Sequence, residues 1–257
     1  MQKYMQSIMF LLMLCLPVVP VCATEVVENG IKFVPIEHAT LAIITDTVTI
    51  YVDPVGSLEP FRALPPPDII LITHIHYDHL NVDDVKALKS KATHIIGPQS
   101  VIDQLGFGEV LNNGETGTYD GVPIQAIPAY NMTKDRLQFH PRSRGDNGYV
   151  LTLNGKRIYL SGDTEDTPEM RSLKNIDYAF VCMNLPYTMT VKQAASAVLA
   201  FKPKVVFPYH YRGKNGMSDL GKFKKLVSKN PAIEVRLLNW YPSGAAVAAE
   251  AKKVKEK

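Results

Sequence analysis

Three histidines and one aspartate fall within six residues of this chain: His74, His76, Asp78 and His79. Imidazole nitrogens and carboxylate oxygens are the ligand atoms that hold zinc and similar divalent ions in proteins. The His-x-His alternation lets both rings leave an extended segment on one side, so Asp78 and His79 must point elsewhere. The spacing predicts a metal site in which one short loop serves two ions, an arrangement that can clamp the attacking and the leaving oxygen of a displacement.

The simpler interpretation of these residues is an accidentally histidine-rich loop. A histidine taken alone is more often a surface residue or a hydrogen-bonded core residue than a ligand. However, the chain contains seven histidines, and three of them lie in this loop with an aspartate between them. Such clustering favours a metal site over chance.

A site for two ions needs more ligands than one loop supplies, and three further residues stand at suitable places. Asp163 and His210 each follow an apolar run that predicts a strand. His140 lies in a polar loop that precedes another predicted strand. Because functional side chains concentrate on loops at the ends of strands, we expect these three residues to complete the site.

The elements that would position these residues alternate between strands and helices. In the first half, the patterns predict strands at 31–35, 40–45, 48–52, 69–73, 94–96 and 110–111, and helices after the N-cap Asn81 and at 101–105. In the second half, they predict strands at 122–127, 148–153, 157–160, 177–183, 205–208 and 234–238, and helices at 191–201 and 219–228. This order predicts an α/β (α+β) fold, a four-layer αββα sandwich in which two sheets face each other between outer helices.

The first 23 residues have the outline of a secretory signal peptide. Lys3 lies near its start, residues 8–16 form a short apolar core, and Ala23 closes it after small residues. The apolar core is too short to span a membrane. We expect cleavage after Ala23, which would leave one domain at residues 24–257 in the periplasm or outside the cell. A lipid anchor on Cys22 and an uncleaved membrane anchor are the less favoured alternatives.

Composition limits the partners and the redox chemistry. The net charge is only +3, and lysines concentrate at residues 214–229 and 252–257. The simpler interpretation of these lysines is a solvated helix face at 214–229 and a frayed tail at 252–257. The more specific hypothesis is a positively charged patch that attracts an anionic substrate. No basic stripe interleaved with aromatic residues supports nucleic-acid binding, so we expect a small-molecule substrate and no stable membrane insertion after signal removal. Cleavage would leave Cys182 as the only cysteine, in an apolar run that predicts a buried thiol.

The histidine-rich loop resembles the His-x-His-x-Asp-His motif of the metallo-β-lactamase-fold hydrolases residue for residue. The resemblance runs in order from Asp53-Pro54 through Gly162-Asp163 to His210, which is nearly all of the chain beyond the signal. His38-Ala39-Thr40 before the loop and Tyr209-His210 after a strand make the chain most similar to the branch of ascorbate-6-phosphate-lactonase-like and N-acyl-phosphatidylethanolamine-phospholipase-like proteins. The resemblance implies the metallo-β-lactamase fold, metal-dependent hydrolysis and two divalent ions, zinc first, with manganese or iron as alternatives.

The same resemblance implies a role for each candidate residue. The implied ligands are, for the first metal, His74, His76 and a third histidine; for the second metal, Asp78, His79 and His210; and, bridging both, Asp163. A hydroxide between the two metals would be the nucleophile. Asp78 would also act in catalysis by orienting that hydroxide.

The third histidine departs from the family pattern. Many members carry it directly after the strand that corresponds to residues 124–128, where this chain has Ala129-Tyr130-Asn131. His140, nine residues beyond Asn131, is our choice for this ligand. The alternative is that Asn131 or a water completes the site, which would leave the first metal weaker or absent.

Other residues near the predicted site have two interpretations. His38 would line the pocket or be a hydrogen-bonded strand histidine. Arg212 would hold an anionic group bidentately or be an ordinary surface arginine. Residues 187–190 would form part of the rim or the capped entrance of the helix that follows. We expect Asp53 to support the metal loop from behind and His94 to be structural.

The leading function is an exported hydrolase that acts on a lactone, ester, amide or phosphodiester bond. Two alternatives stay open: a metal-binding protein with a degenerate, non-catalytic site, motivated by Asn131, and a β-lactamase. A nuclease is disfavoured, because only 47 positions separate Asp163 from His210 and nucleases of this fold commonly insert a large domain there. A redox or thiol-processing member is disfavoured, because such members usually lack the second-metal ligands.

Overall fold

The structure is a computed structural model that describes residues 25–241. The predicted signal peptide and the lysines at 252–257 lie outside the described residues, so signal cleavage stays a prediction. In the described part of the chain, no helix is both long and apolar enough to cross a membrane.

Two seven-stranded sheets form the centre of the fold. The first sheet follows the order of the chain and consists of β1 (Val26–Glu28), β2 (Ile31–Glu37), β3 (Thr40–Ile44), β4 (Thr49–Val52), β5 (Ile69–Leu71), β6 (His94–Gly97) and β7 (Glu109–Val110). The second sheet has the order β16-β13-β12-β11-β10-β9-β8 and consists of β8 (Thr116–Tyr119), β9 (Val122–Pro128), β10 (Asn147–Leu153), β11 (Lys156–Leu160), β12 (Tyr178–Cys182), β13 (Val205–Tyr209) and β16 (Glu234–Val235).

Five helices and one small hairpin complete the described chain. The helices are α1 (Val82–Leu88), α2 (Gln99–Leu105), α3 (Pro168–Arg171), α4 (Val191–Phe201) and α5 (Leu220–Val227), with 3-10 turns at Glu59–Ala63, Lys134–Arg136 and Arg142–Arg144. The hairpin consists of β14 (Arg212–Gly213) and β15 (Gly216–Met217).

The two sheets repeat one plan. In each of them the first four strands along the chain pair antiparallel. The strands that follow pair parallel, β4 to β7 in the first sheet and β11, β12, β13 and β16 in the second. Loops at the carboxyl ends of parallel strands commonly carry functional groups. In each sheet, a functional site is therefore expected at the carboxyl ends of the parallel strands.

The sheets pack face to face, and helices cover their outer faces. The rings of Phe33 on β2 and Phe180 on β12 lie 5.3 Å apart, centroid to centroid, between the sheets. On β5, Ile69 belongs to this inter-sheet core, whereas Ile70 packs with residues of α1 and α2, so both faces of the strand are apolar. On the other side of the second sheet, Tyr159 of β11 packs on Phe201 of α4 at 5.8 Å. The predicted four-layer αββα sandwich is confirmed.

Local patterns predict most elements well, and the exceptions have physical reasons. The predicted helix 191–201 is observed with the same bounds, and Asn81 caps α1 as expected. The strand predicted at 69–73 ends at Leu71, because the backbone N–H of Thr73 donates to Asp53 rather than to a neighbouring strand. The strand predicted at 234–238 is only Glu234–Val235, since β16 pairs with β13 at two positions. The half-exposed edge strands β1 and β8 and the four-residue α3 lack an apolar run and are missed.

Cys182 is a free thiol on β12, fully buried as the sequence predicts. Burial, together with the nearby negative charge of Asp163, raises the pKa of this thiol to about 12. A thiol that stays protonated is a poor nucleophile, so Cys182 is a packing residue.

Asp177, which precedes β12, forms hydrogen bonds to residues at the beginning of β11 and just before β13 in the second sheet. Its carboxylate accepts hydrogen bonds from the backbone N–H of Arg157 at 2.9 Å and from Lys204 Nζ at 2.8 Å. Burial alone would raise the pKa of Asp177, but these donors outweigh it and hold the pKa below its ordinary value of 3.8. A depressed pKa in the folded state means that the carboxylate stabilises the fold above the ordinary value and loses this contribution as the pH falls through the folded one.

Asp177→Asn is therefore expected to lower the free energy of unfolding at pH 7 by about 1–2 kcal/mol. The difference from the wild type should narrow as the pH falls below 3.8, the ordinary pKa of the carboxyl, and through the lower pKa that Asp177 has in the folded protein. Urea denaturation across this pH range measures it. Lys204→Met removes only the exposed partner and should cost less. A loss that stays constant with pH would contradict the explanation.

Candidate metal centre

The parallel halves of both sheets bring polar side chains to one edge of the sandwich. In the first sheet, Asp53 follows β4 and His74 lies three residues past the end of β5. In the second sheet, Asp163, Asn184 and His210 follow β11, β12 and β13. All five side chains are buried. Both sheets therefore place buried polar side chains at the carboxyl ends of their parallel strands, where binding sites commonly lie.

Gly162 lets the chain turn sharply at Asp163. Its φ is +58°, a left-handed conformation that side chains rarely adopt. A Cβ at this position would lie 2.7 Å from the carbonyl oxygen of Asn147 on β10, so no side chain fits. The structure thus gives the reason why a glycine precedes this aspartate.

Three groups of side chains in the centre have ligand atoms close enough to hold a metal ion. Within each group, one atom per residue lies within 4.8 Å of the others. The groups are His74, His76 and His140; His74, His79 and Asp163; and His38, Asp78 and His210. The structure therefore brings together all seven ligands predicted from the sequence, and it adds His38.

Asp163 lies between the histidines of the cluster. Its Oδ2 is 3.4 Å from His140 Nε2, and its Oδ1 is 3.3 Å from His210 Nε2 and 3.6 Å from His79 Nε2. Asp78 reaches the same region from the metal loop, with Oδ2 3.5 Å from His210 Nε2. One carboxylate therefore contacts histidines from three separate segments of the chain.

The donor set fits divalent metal ions. His79 Nε2 and His210 Nε2 face each other at 3.0 Å, as do His74 Nε2 and His76 Nδ1. Two ring nitrogens at this distance must share a proton or a cation. Among residues 25–241, the buried atom Asp163 Oδ1 also accepts no hydrogen bond. Imidazole and carboxylate donors without thiolates suit zinc, manganese or iron.

The electrostatics keep part of this donor set ready to bind a cation. Burial and the neighbouring histidines lower the pKa of His74 well below its ordinary value and that of His76 to about 4, so both rings are neutral. Burial would also lower the pKa of His79, but the carboxylates of Asp163 and Asp53 outweigh it and raise it to about 9. Burial would raise the pKa of Asp163, but His210 and His79 hold it well below the ordinary range.

Asp53 supports the metal loop from behind, as the sequence predicts. Its Oδ1 accepts from the backbone N–H of Thr73 at 2.7 Å, and its Oδ2 accepts from the hydroxyl of Thr73 at 2.7 Å. Oδ2 also lies 2.7 Å from His79 Nδ1. A histidine whose Nδ1 is held by a carboxylate presents Nε2 outward in a fixed orientation.

The structure also answers which residue stands beside His74 and His76. Asn131 turns away from them, because its Nδ2 donates to the carbonyl oxygens of Arg136 and Tyr187. The loop folds back on itself through the hydrogen bond from Asn131 N to His140 O at 2.8 Å. The ring of His140 consequently lies 5.0 Å from that of His74 and 4.8 Å from that of His76.

The remaining candidates divide between site and scaffold. The ring of His38 is 4.6 Å from that of His210, and its Nδ1 is 2.8 Å from the hydroxyl of Tyr241, so it both lines the site and is hydrogen-bonded. Thr190 caps α4 with a capping box, while Tyr187 lines the cleft, so both interpretations of residues 187–190 hold. His94 lies outside the cluster and pairs with Glu109 at 2.6 Å, as expected for a structural residue.

Sequence reasoning misses a clamp formed by Arg144 and Asp146. Arg144 binds the Asp146 carboxylate through Nε at 2.7 Å and Nη2 at 2.5 Å. Its Nη1 lies 2.9 Å from His76 Nε2, and Asp146 Oδ2 lies 3.3 Å from His140 Nδ1. The clamp thus positions two of the candidate ligands. No motif marks these residues, which lie in a polar loop.

Asn184 is the second residue missed. Its Nδ2 lies 3.2 Å from His210 Nε2 and 3.5 Å from Asp163 Oδ2. The signal that could have found it is its position, because it follows β12 just as Asp163 follows β11 and His210 follows β13. The rule that predicts those two ligands applies equally to Asn184.

A family model described as a beta-lactamase superfamily domain matches residues 32–210, a range that includes every residue of the cluster. The chain belongs to the beta-lactamase superfamily. Among its relatives is a UPF0173 metal-dependent hydrolase from Thermococcus onnurineus, which is 34% identical over 212 residues that cover 76% of this chain and 92% of that protein.

Solved structures agree with this membership. A protein named a metal-dependent hydrolase from Parabacteroides distasonis shares 42% identity with a TM-score of 0.76, covering 84% of this chain and 97% of that one. Igni18, a metallo hydrolase from Ignicoccus hospitalis, shares 25% identity with a TM-score of 0.68, covering 80% and 94%. The chain is thus a metal-dependent hydrolase of the superfamily, as the resemblance predicts. The lactonase-like branch stays a prediction.

Two cavities open on the centre of this superfamily member. The first, which we name the His140 lobe, has a volume of about 220 Å³ and is lined by His140, Asp163 and Phe139 among others. The second, the Arg212 lobe, has a volume of about 260 Å³ and is lined by His38, Arg212 and Lys214 among others. The residues that line both lobes are Tyr77, Asp78, Asn184 and Tyr187. The two lobes therefore form one cleft over the cluster.

Proposed function

We propose that the chain is an exported hydrolase with two metal ions, which cleaves a lactone, ester, amide or phosphodiester bond in a small molecule. The observation that supports it best is the clustering of three metal-capable groups around Asp163 at the floor of a cleft. The proposed ligands are His74, His76 and His140 for the first ion, Asp78, His79 and His210 for the second, and Asp163 between them. Zinc is the first candidate for both ions.

A bound metal pair would supply a hydroxide nucleophile near neutral pH and would polarise the scissile carbonyl or phosphoryl group. The protein's own residues do the rest. Asp78 lines both lobes and its carboxylate is partly exposed, so it can accept a proton of an attacking water and orient it. The Nδ2 of Asn184 lies beside Asp163 at the same cleft and can donate to a substrate oxygen.

Metal analysis of His140→Ala tests the ligand assignment. We expect the wild type to bind two equivalents of metal and the variant to lose one, because His140 is the ring that completes the group with His74 and His76. Asn131→Ala is the matched control and should keep both equivalents, since its amide points to Arg136 and Tyr187. Unchanged metal content in His140→Ala would refute the assignment.

Turnover of simple lactone, ester and phosphodiester substrates by the same samples tests the activity. Loss of turnover together with one metal equivalent would support the proposed hydrolase. Stoichiometric metal without turnover of any substrate would favour the metal-binding alternative instead. Export rests on the sequence of residues 1–23 alone, and the mass of the protein recovered from its native compartment, which should begin at Thr24, tests it.

A further inference from the structure

Arg212 offers unused hydrogen-bond donors to the cleft. Its guanidinium lies over the ring of Tyr241, 4.6 Å from the centroid, which fixes the plane of the group. Nη2 lies 3.1 Å from His38 Nε2 and 3.3 Å from Glu37 Oε1. Within residues 25–241, Nε and Nη1 make no hydrogen bond. Because arginine has only donors and this side chain is 41% exposed, these N–H groups are open to water or to an anion that enters the cleft.

The hairpin that carries Arg212 is held firmly against the site. A Cβ on Gly213 would lie 2.0 Å from the carbonyl oxygen of Leu185, so the hairpin and the loop after β12 touch backbone to backbone. The backbone N–H of Lys214 donates to the same oxygen at 2.9 Å, and the hydroxyl of Ser218 donates to Met183 O. The cations of this hairpin are therefore presented from a fixed backbone.

The charges of the two lobes differ. Arg212 and Lys214 line the Arg212 lobe, whereas no lysine or arginine is among the described residues that line the His140 lobe. The acidic groups facing the cations are Asp78, a proposed metal ligand, and Glu37, whose side chain is 52% exposed. With Asp78 assigned to a metal ion, the Arg212 lobe has two cations against one exposed carboxylate, which favours an anionic group of a ligand there. The metal cluster lies close by, since His210 and Asp78 line the same lobe.

We propose that the Arg212 lobe binds an anionic group of the substrate, a carboxylate or a phosphate, that is not itself the group cleaved. This inference rests on the proposed function, because it places the scissile bond over the metal cluster. Arg212 binds the anion through Nη1 and, once Glu37 is displaced, through Nη2 on the same edge of the guanidinium, and Lys214 adds a mobile charge. Glu37 competes with the anion for the guanidinium. The substrate class is thus a small hydrolysable molecule with a remote negative charge.

Ligand affinity tests the inference without requiring the true substrate. Glutarate, 4-phosphonobutyrate and the singly charged 5-oxohexanoate are titrated by calorimetry into the zinc-supplemented protein. Each carries one carboxylate for the metal cluster, and they differ at the far end. We expect one or both dianions to bind about tenfold more tightly than 5-oxohexanoate. If glutarate binds more tightly, the lobe prefers a carboxylate; if 4-phosphonobutyrate binds more tightly, it prefers a phosphate.

Four variants locate the effect. Arg212→Met should abolish the preference for dianions, and Lys214→Met should reduce it. Glu37→Gln should raise the affinity for dianions by about threefold, because it removes the competing carboxylate. Lys225→Met, an exposed lysine on α5, is the matched control and should change nothing. Equal affinities for all three ligands, no binding of any ligand, or a preference that survives Arg212→Met would overturn the inference.

Metal content and turnover, measured on the same samples, separate this inference from the proposed function. Bound metal and turnover with no preference for dianions would overturn the inference alone. An Arg212-dependent preference in a protein without metal or turnover would overturn the proposed hydrolase while leaving an anion site.

Discussion

Asp163→Asn is expected to abolish stoichiometric metal binding and to lower turnover about a thousandfold or more, because it removes a carboxylate that contacts three of the proposed histidine ligands. Asp163 contacts His79, His140 and His210 within 3.6 Å and is buried. An asparagine preserves the shape but not the charge. Three imidazoles around a neutral amide bind a dication much more weakly than the same three around a carboxylate.

Elemental analysis and competition with a chromogenic chelator measure the effect of Asp163→Asn on metal binding. Thermal unfolding without metal shows whether the variant folds, so that a loss of metal is not confused with a loss of structure. Asp103→Asn, on the exposed face of α2, is the control and should bind metal as the wild type does. Full metal content in Asp163→Asn would contradict the bridging position proposed for this residue.

Asp53→Asn should destabilise the protein and weaken its metal site together. The carboxylate accepts from the backbone and the hydroxyl of Thr73 and holds His79 Nδ1, each at 2.7 Å, in a fully buried position. An asparagine cannot satisfy all of these partners. If its NH2 faces His79, it needs an acceptor at Nδ1, which moves the ring proton to Nε2 and blocks that atom as a ligand. If the NH2 group faces the backbone of Thr73, it points at the Thr73 N–H, and neither donor has an acceptor.

We expect Asp53→Asn to lower the free energy of unfolding by about 2–4 kcal/mol and the metal affinity by about 10-fold to 100-fold. Urea denaturation with a chelator present measures the first effect, and chelator competition measures the second. Asp46→Asn, in an exposed turn, provides the comparison and should alter neither. A variant that loses stability but keeps wild-type metal affinity would show that Asp53 holds the loop without orienting His79.

Elements whose signals are local were predictable from the sequence. The bounds of α4 follow from Thr190 and the apolar spacing behind it, and the cap of α1 follows from Asn81. The short edge strands β1 and β8 were not predictable, because each is defined by its pairing with the next strand rather than by an apolar run of its own. The residues of the metal centre likewise include a part that was predictable from the sequence and a part that was not. The metal loop is contiguous, whereas the Arg144–Asp146 clamp depends on how the polar loop before β10 folds.

By itself, the sequence determined the kinds of candidate ligand, the loop that carries four of them, and the layered fold that places Asp163 and His210 at strand ends. Only the tertiary structure placed His140, rather than Asn131, beside His74 and His76, added Asn184 and His38 to the cluster, and placed Arg212 beside it. The physical reason is distance along the chain. His79 and His210 are 131 positions apart and come within 3.0 Å only because the two sheets pack with their parallel strand ends at one edge.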